Sequence, residues 1–151
     1  MKINFKKLII FIIVTFLIGG FFSFFNDTSF YKTLDKPINI PSIVFPIVWS
    51  ILYLLMAVSA YQISESNDYN KGDALKLYFV QLIVNSLWTL FFFGFKLYFF
   101  SFLWIILLII LVYIMIYRFY KINKVSAYLN IPYLLWLIFA AYLNYMIYYL
   151  N

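Results

Sequence analysis

Residues 43–63 read IVFPIVWSILYLLMAVSAYQI and carry no charged side chain. As an α-helix, a stretch of this length extends about 30 Å, which matches the hydrocarbon core of a bilayer. Pro46 lies in its first turns, and Trp49 and Tyr53, four residues apart, share one face of the helix. We therefore expect a membrane-spanning helix that presents an aromatic pair to the interior of a helix bundle.

The composition of the whole chain extends this expectation beyond the one segment. Hydrophobic residues make up 67% of the 151 residues and charged residues 11%. Soluble domains carry about 25% charged residues, so this chain lacks the polar groups needed to cover a surface in water. We predict an all-α integral membrane protein.

Four more apolar segments predict a bundle of five transmembrane helices in one domain, residues 1–151. The expected spans are about 6–25, 43–63, 75–95, 98–117 and 128–150. The first span imitates a secretory signal peptide, but its apolar run is longer than such peptides have, so we expect it to be retained. Residues 26–42, which include Phe30 and Tyr31, are expected to fold over the bundle as a lid, and residues 118–127 to form a basic loop.

Basic residues are unevenly divided between the two sides of this bundle. The N-terminal side carries eight of them, Lys2, Lys6, Lys7, Lys71, Lys76, Arg118, Lys121 and Lys124, and the other side carries Lys32, Lys36 and Lys96. Lysine and arginine concentrate on the cytoplasmic side of membrane proteins, so we expect the N-terminus in the cytoplasm and the C-terminus outside. The net charge of +6 comes from basic residues that flank the apolar spans. We therefore expect membrane lipid as a partner and no nucleic acid.

The chain contains neither cysteine nor histidine. Disulfides, cysteine or histidine metal sites, Ser-His-Asp catalysis and a histidine ligand to haem iron are therefore excluded. The apolar parts of the spans carry no charge, which disfavours proton- or ion-coupled transport. A small transporter or a membrane assembly subunit is kept as an alternative.

Polar and aromatic side chains recur at helical spacing on two further spans. One face carries Gln81, Asn85, Trp88 and Phe92, and another carries Trp136, Ala140 and Asn144. Amides in hydrocarbon need partners, so Gln81 and Asn85 are expected to face the bundle interior. Interhelical hydrogen bonding and core packing would explain these faces structurally. Their convergence with Trp49 and Tyr53 instead predicts a cavity for a flat, conjugated, largely apolar ligand.

Three segments, residues 36–61, 80–94 and 124–151, closely resemble the TspO/MBR family. The most specific matches are N-x-x-W-x-x-x-F-F at residues 85–93 and P-Y-L-L-W-x-x-F-A at residues 132–140. This family comprises the tryptophan-rich sensory proteins of bacteria and is related to the mitochondrial translocator protein, the peripheral-type benzodiazepine receptor. The resemblance covers essentially the whole chain.

The resemblance implies a homodimeric protein of the bacterial cell membrane that requires no cofactor and no metal. It implies binding of porphyrins (protoporphyrin IX, haem) and of benzodiazepine-site ligands in a pocket under the first loop. The ligand-binding residues carried over by position are Tyr31, Pro41, Trp49, Tyr53, Asn85, Trp88, Trp136 and Ala140. A light-dependent, protoporphyrin-degrading enzyme is the alternative, with Trp49 and Trp136 as its catalytic candidates.

The chain departs from the family pattern near the lid. The family's W-x-P-P-x-W run ahead of the second span is replaced here by the segment from Asn39 to Ile43, and Phe30 stands where tryptophan is common. Trp104 occupies a position in the fourth span at which many members have an acidic residue. Fewer indoles near the lid weaken the expectation of tryptophan-mediated photochemistry.

Overall fold

The computed structural model describes residues 2–151, within which every regular element is helical. The helices are α1 (Phe5–Gly19), α2 (Val44–Ser64), α3 (Lys71–Thr89), α4 (Tyr98–Ile122), α5 (Lys124–Tyr128) and α6 (Ile131–Leu150). The five long helices pack as a bundle, which confirms the predicted all-α membrane fold. Four segments are long and apolar enough to cross a membrane: Val44–Ser64, Lys71–Gly94, Tyr98–Ile122 and Lys124–Leu150.

The outward faces of these helices are apolar. Exposed side chains include Ile13 and Leu17 on α1, Leu103 and Ile110 on α4, and Leu135 and Ile138 on α6. Large apolar side chains exposed along whole helix faces are matched to lipid and not to water. The bundle therefore presents its hydrophobic surface outward, as a membrane protein does.

The first helix is shorter than the sequence predicts. Asn4 caps α1, its side chain accepting the backbone N–H of Lys7 at 3.1 Å. The α-helix ends at Gly19, and a 3₁₀ turn at Phe21–Phe24 follows instead of more α-helix to residue 25. Each glycine costs a helix interior roughly 1 kcal/mol relative to alanine, so the Gly-Gly pair favours an end at this point. The 15 residues of α1 extend only about 22 Å.

Gly19 allows α1 to pack closely on α2. Gly19 is buried, and a Cβ added to it would lie 2.6 Å from Cε1 of Tyr53. The Tyr53 hydroxyl donates a hydrogen bond to the Gly19 carbonyl oxygen at 3.0 Å. At the opposite end of α1, the Lys7 ammonium lies 2.6 Å from the Glu65 carboxylate. Both ends of α1 are thus attached to α2.

A wide π-turn, Leu90–Gly94, follows α3. The Phe95 N–H donates to the Leu90 carbonyl oxygen at 3.0 Å, a step of five residues where an α-helix takes four. Within this turn the Phe91 ring lies against Trp104 of α4, with centroids 4.9 Å apart, and the Phe93 ring lies 6.1 Å from Tyr31 of the loop. The turn thus contacts both α4 and the 26–42 loop.

Residues 118–127, expected as a basic loop, are mostly helical. Helix α4 continues to Ile122, and the Asn123 side chain then caps α5 by accepting the N–H groups of Val125 and Ser126 at 3.0 and 3.3 Å. The last long helix accordingly begins at Ile131 and not near residue 128. Asparagine is a common residue at the N-terminus of a helix, so Asn123 was a local signal for α5 that the prediction of a basic loop did not use.

The half of the bundle nearest α5 has a tightly packed core. Fully buried side chains there include Met56, Ala60, Ile63, Tyr78, Leu82, Met115 and Phe119. Its polar side chains pair with one another: Asn130 donates to the Ser59 hydroxyl at 2.8 Å, and the Ser126 hydroxyl donates to Gln62 at 2.8 Å. These hydrogen bonds make the donor groups tolerable in a lipid-embedded core, whereas Oδ1 of Asn130 is buried without a partner within residues 2–151.

In the other half, α2 and α6 stand apart. Helix α6 packs along α4, and α2 packs along α1 and α3, but α2 and α6 share no extended backbone contact within residues 2–151. Aromatic side chains bridge the two helices: Phe45 lies 6.1 Å from Trp136, and Trp49 lies 6.2 Å from Tyr133. This separation opens the space described next.

Candidate ligand-binding cavity

A cavity of about 680 Å³ lies among the long helices beneath the 26–42 loop. Small-molecule sites typically enclose about 300–1,000 Å³. Seven of the eight residues that the resemblance implies line it: Tyr31, Trp49, Tyr53, Asn85, Trp88, Trp136 and Ala140. The structure thus brings these side chains together, and their role in binding a ligand stays a prediction.

Pro41 does not line the cavity. It is exposed, and its carbonyl oxygen accepts the Val44 N–H at 3.0 Å in the turn that leads into α2. The residues near Pro41 that do line the cavity are Ser42, which precedes α2, and Phe45 and Pro46 in the first turn of α2. Pro41 is not brought into the cavity lining with the other seven residues, and a role for it in ligand binding stays a prediction.

Helix α2 contributes the Trp49–Tyr53 pair. The two rings lie 5.5 Å apart at an interplanar angle of 34°, one helical turn from each other. Tyr53 is held from behind by Phe16, whose ring meets it edge-on at 5.5 Å, and by its hydrogen bond to Gly19. The pair therefore forms a flat wall whose orientation is fixed by α1.

Trp88 of α3 provides a second flat surface. Its ring stacks on Phe92 with centroids 5.0 Å apart and an interplanar angle of 22°. Its indole N–H donates to Oδ1 of Asn144 at 2.9 Å, and the Asn144 amide donates in turn to the Tyr98 carbonyl oxygen at 2.8 Å. Trp88 thus offers a ligand its π-face, because its donor is engaged within the protein.

Asn85 gives the cavity a polar floor. Its Nδ2 donates to the Tyr133 hydroxyl at 2.7 Å, and that hydroxyl donates to Oε1 of Gln81 at 2.8 Å. Gln81 is 0% and Asn85 3% exposed, so both amides face the interior as predicted. Gln81 acts as an interhelical hydrogen-bonding group, whereas Asn85 lines the cavity and its Oδ1 accepts no hydrogen bond within residues 2–151. This oxygen is available as an acceptor for a ligand.

Trp136 and Ala140 form the α6 wall. The Trp136 ring lies between Phe45 of α2 and Phe139 of α6, at 6.1 and 5.6 Å. Its indole N–H is buried and has no partner within residues 2–151. Ala140, one turn further along, leaves room beside the ring. An unpaired buried donor is unfavourable, so the indole N–H of this wall is available to donate a hydrogen bond to a ligand.

The loop closes the cavity with Tyr31. Tyr31 lies in the 3₁₀ helix Ser29–Thr33, and its ring packs against Phe45 at 6.0 Å and Phe92 at 6.4 Å. Burial raises the pKa of the Tyr31 hydroxyl above its usual value, so this group stays protonated at neutral pH. The loop therefore lies on the bundle and contributes an aromatic roof.

Several lining residues were not predicted from the sequence. They are Gly19 of α1, Phe45 of α2, Ile105 and Leu108 of α4, and Leu143 and Ile147 of α6. Leu143 and Ile147 continue the helical face of Trp136 and Ala140, so their spacing held a usable signal. Ile105 and Leu108 lie in an uninterrupted apolar run in which no residue marks the face turned inward.

Charge at the cavity is confined to its mouth. Asp27 and Lys32 are the charged lining residues, and the interior surface is aromatic, aliphatic, hydroxyl or amide in character. In the part of the chain that the structure describes, no group of three or more acidic, cysteine or histidine side chains could hold a metal ion. The arrangement can hold a flat apolar molecule by ring contacts and a few hydrogen bonds.

Comparison with known proteins gives concordant matches. A family model described as the TspO/MBR family matches residues 8–150. Protein CrtK of Rhodobacter capsulatus is 33% identical, over 88% of this chain and 85% of that protein. Tryptophan-rich protein TspO of Archaeoglobus fulgidus is 35% identical, over 98% and 99%. Translocator protein of Sus scrofa is 30% identical, over 86% and 82%.

Proposed function

The chain belongs to the TspO/MBR family, and on that premise we propose that it is a membrane receptor for porphyrins such as protoporphyrin IX and haem. Benzodiazepine-site ligands would occupy the same cavity beneath the 26–42 loop. The proposed role of binding is tetrapyrrole regulation or stress signalling. No cofactor is required in this proposal, since the porphyrin is the ligand.

One observation carries the proposal: three of the four tryptophans line a single cavity of about 680 Å³. Trp49, Trp88 and Trp136 come from three different helices and leave flat or edge-on ring surfaces around one space. Aromatic rings bind flat conjugated molecules by stacking and edge contacts, each worth about 0.5–1.5 kcal/mol beyond burial. The Asn85 oxygen adds an acceptor for a pyrrole N–H.

The test is a titration of purified protein in detergent with protoporphyrin IX, followed by the absorbance of the porphyrin itself. We expect Trp49→Phe and Trp136→Phe each to weaken binding, by at most about 10-fold, the value of one whole aromatic contact, because phenylalanine keeps a smaller ring and loses the indole N–H. Trp104→Phe is the matched control, because Trp104 lies outside the cavity and donates its N–H to the Val84 carbonyl oxygen at 2.8 Å. Unchanged affinity in both cavity variants would refute the assignment of the site.

We also propose a homodimer in the bacterial cell membrane, with the N-terminus in the cytoplasm and the C-terminus outside. The excess of basic residues on the N-terminal side supports this orientation. Two pairs of small residues, Gly19–Gly20 and Ala140–Ala141, would let a neighbouring helix approach closely, but Gly19 is buried against Tyr53 and Ala140 lines the cavity. The proposed dimer therefore uses another lipid-facing surface.

Light- and oxygen-dependent breakdown of the bound porphyrin is a second candidate function. One observation favours it: Trp49 and Trp136 line the same cavity from α2 and α6, so a porphyrin held between these helices would lie against both indoles. Illumination of the complex should then form product faster than free porphyrin does in detergent. Equal rates would leave binding as the function.

A further inference from the structure

The lysines around the cavity mouth differ in the contacts that they make within the protein. Lys36 is engaged: its ammonium donates to the carbonyl oxygens of Tyr31 and Leu34 at 2.8 and 3.2 Å. The Lys96 ammonium lies 4.5 Å from the centre of the Phe30 ring. Lys32 makes no hydrogen bond, ion pair or ring contact within residues 2–151, yet it lines the cavity. In the part of the chain that the structure describes, Lys32 is therefore the lysine at the mouth that makes no such contact.

The one carboxylate that lines the mouth is already engaged. The Asp27 side chain accepts the Ser29 N–H at 2.9 Å. That backbone hydrogen bond is the main reason why the pKa of Asp27 lies below its usual value, and nearby Lys96 lowers it further. Asp27 is thus held in the turn into the 3₁₀ helix, and it forms no ion pair with Lys32 within residues 2–151.

The interior cannot accept a charged group. Among the described residues, 2–151, no ionised side chain lines the cavity below its mouth, where the polar groups are amides, hydroxyls and indoles. An unpaired carboxylate moved from water into such surroundings loses far more solvation than a few neutral hydrogen bonds return. An acidic ligand must therefore keep its carboxylate at the mouth, next to Lys32, and place its apolar body on the aromatic walls.

We propose that Lys32 makes the cavity selective for carboxylate-bearing flat ligands, bound with the acid group at the mouth. This inference rests on the proposed porphyrin-binding function and specifies its ligand class. An exposed ion pair contributes about 0.2–1 kcal/mol, so the expected preference from Lys32 is about 1.4- to 5-fold in affinity. Its contribution decreases as salt rises, because the pair is exposed to solvent.

The experiment compares protoporphyrin IX with its dimethyl ester, which keeps the ring and removes both charges. Wild-type protein is expected to bind the diacid more tightly at low salt and to lose part of this preference at 1 M NaCl. Lys32→Gln should weaken binding of the diacid but not of the ester, and Lys32→Arg should restore it. Lys124→Gln, at the opposite end of the bundle, is the control and should change neither affinity.

The outcomes separate the two proposals. If the diacid and the ester bind with equal affinity and Lys32→Gln changes neither, the role of Lys32 is wrong while porphyrin binding stands. A loss of the same size for both ligands would show that Lys32 acts on the shape of the loop, which also overturns charge selectivity. If neither form binds the wild-type protein, both the porphyrin function and this inference fail.

Discussion

Gly19 is the position at which the bundle tolerates no side chain. Its Cα faces the Tyr53 ring, and a Cβ would lie 2.6 Å from Cε1 and 2.7 Å from Cζ of that ring. Tyr53 cannot yield easily, because Phe16 lies against its other side and its hydroxyl is bonded to Gly19. This one residue therefore determines how close α1 comes to the cavity wall.

We expect Gly19→Ala to destabilise the protein by about 1–3 kcal/mol, the usual cost of overpacking. It should also weaken porphyrin binding by tilting Tyr53 into the cavity. The measurement is the thermal unfolding midpoint in detergent. Gly72→Ala is the matched control: nothing lies within 4 Å of its Cβ, and alanine in α3 should raise stability by up to about 1 kcal/mol. A stable Gly19→Ala protein with unchanged binding would contradict the close contact.

Tyr133 supports the cavity floor through its hydroxyl group. Tyr133→Phe keeps the ring but leaves the Asn85 amide and the Gln81 oxygen without their shared partner. We expect a loss of about 1–3 kcal/mol in the free energy of unfolding, the cost of unpaired buried polar groups. Tyr113→Phe, on a side chain that is 64% exposed, should have little effect in the same denaturation experiment. Equal stability of the two variants would argue against the network.

Among the helices, the sequence was most informative where polar residues mark a face. Asn85 and Trp88 predict the inward side of α3, because an amide and an indole are out of place against lipid. Helix α4 offers no such marks, so its contribution of Ile105 and Leu108 depends on tertiary packing. The Gly-Gly pair marks the end of α1 locally, whereas the contact of Gly19 with Tyr53, 34 residues away, depends on tertiary packing.

The lid segment is tied to the last residue of the chain. The Asp35 N–H donates to Oδ1 of Asn151 at 3.1 Å, and the Asn151 amide donates back to the Asp35 carbonyl oxygen at 2.9 Å. We expect Asn151→Ala to free this part of the loop, raising hydrogen exchange at residues 33–36 and speeding ligand release a few-fold. Exchange at residues 56–63, in the packed half of α2, should stay unchanged. Unaltered exchange in the loop would mean that its packing on the bundle suffices.

For the molecule as a whole, the absence of cysteine makes the proposed orientation directly measurable. A single cysteine can be placed at Lys32 or at Lys124, which lie at opposite ends of the bundle. A membrane-impermeant maleimide should label Lys32→Cys in intact cells and Lys124→Cys only after permeabilisation. The reverse pattern would place the N-terminus outside and overturn the orientation drawn from the basic residues.

The cavity occupies one half of the bundle, and in the other half the side chains of Met56, Ala60 and Ile63 on α2 and of Phe119 on α4 are fully buried. Within residues 2–151 the cavity is thus closed at the end of the bundle where α5 lies. A ligand in the cavity could cross to the other end of the bundle only by displacing these packed side chains, whereas the 26–42 loop lies directly beside it.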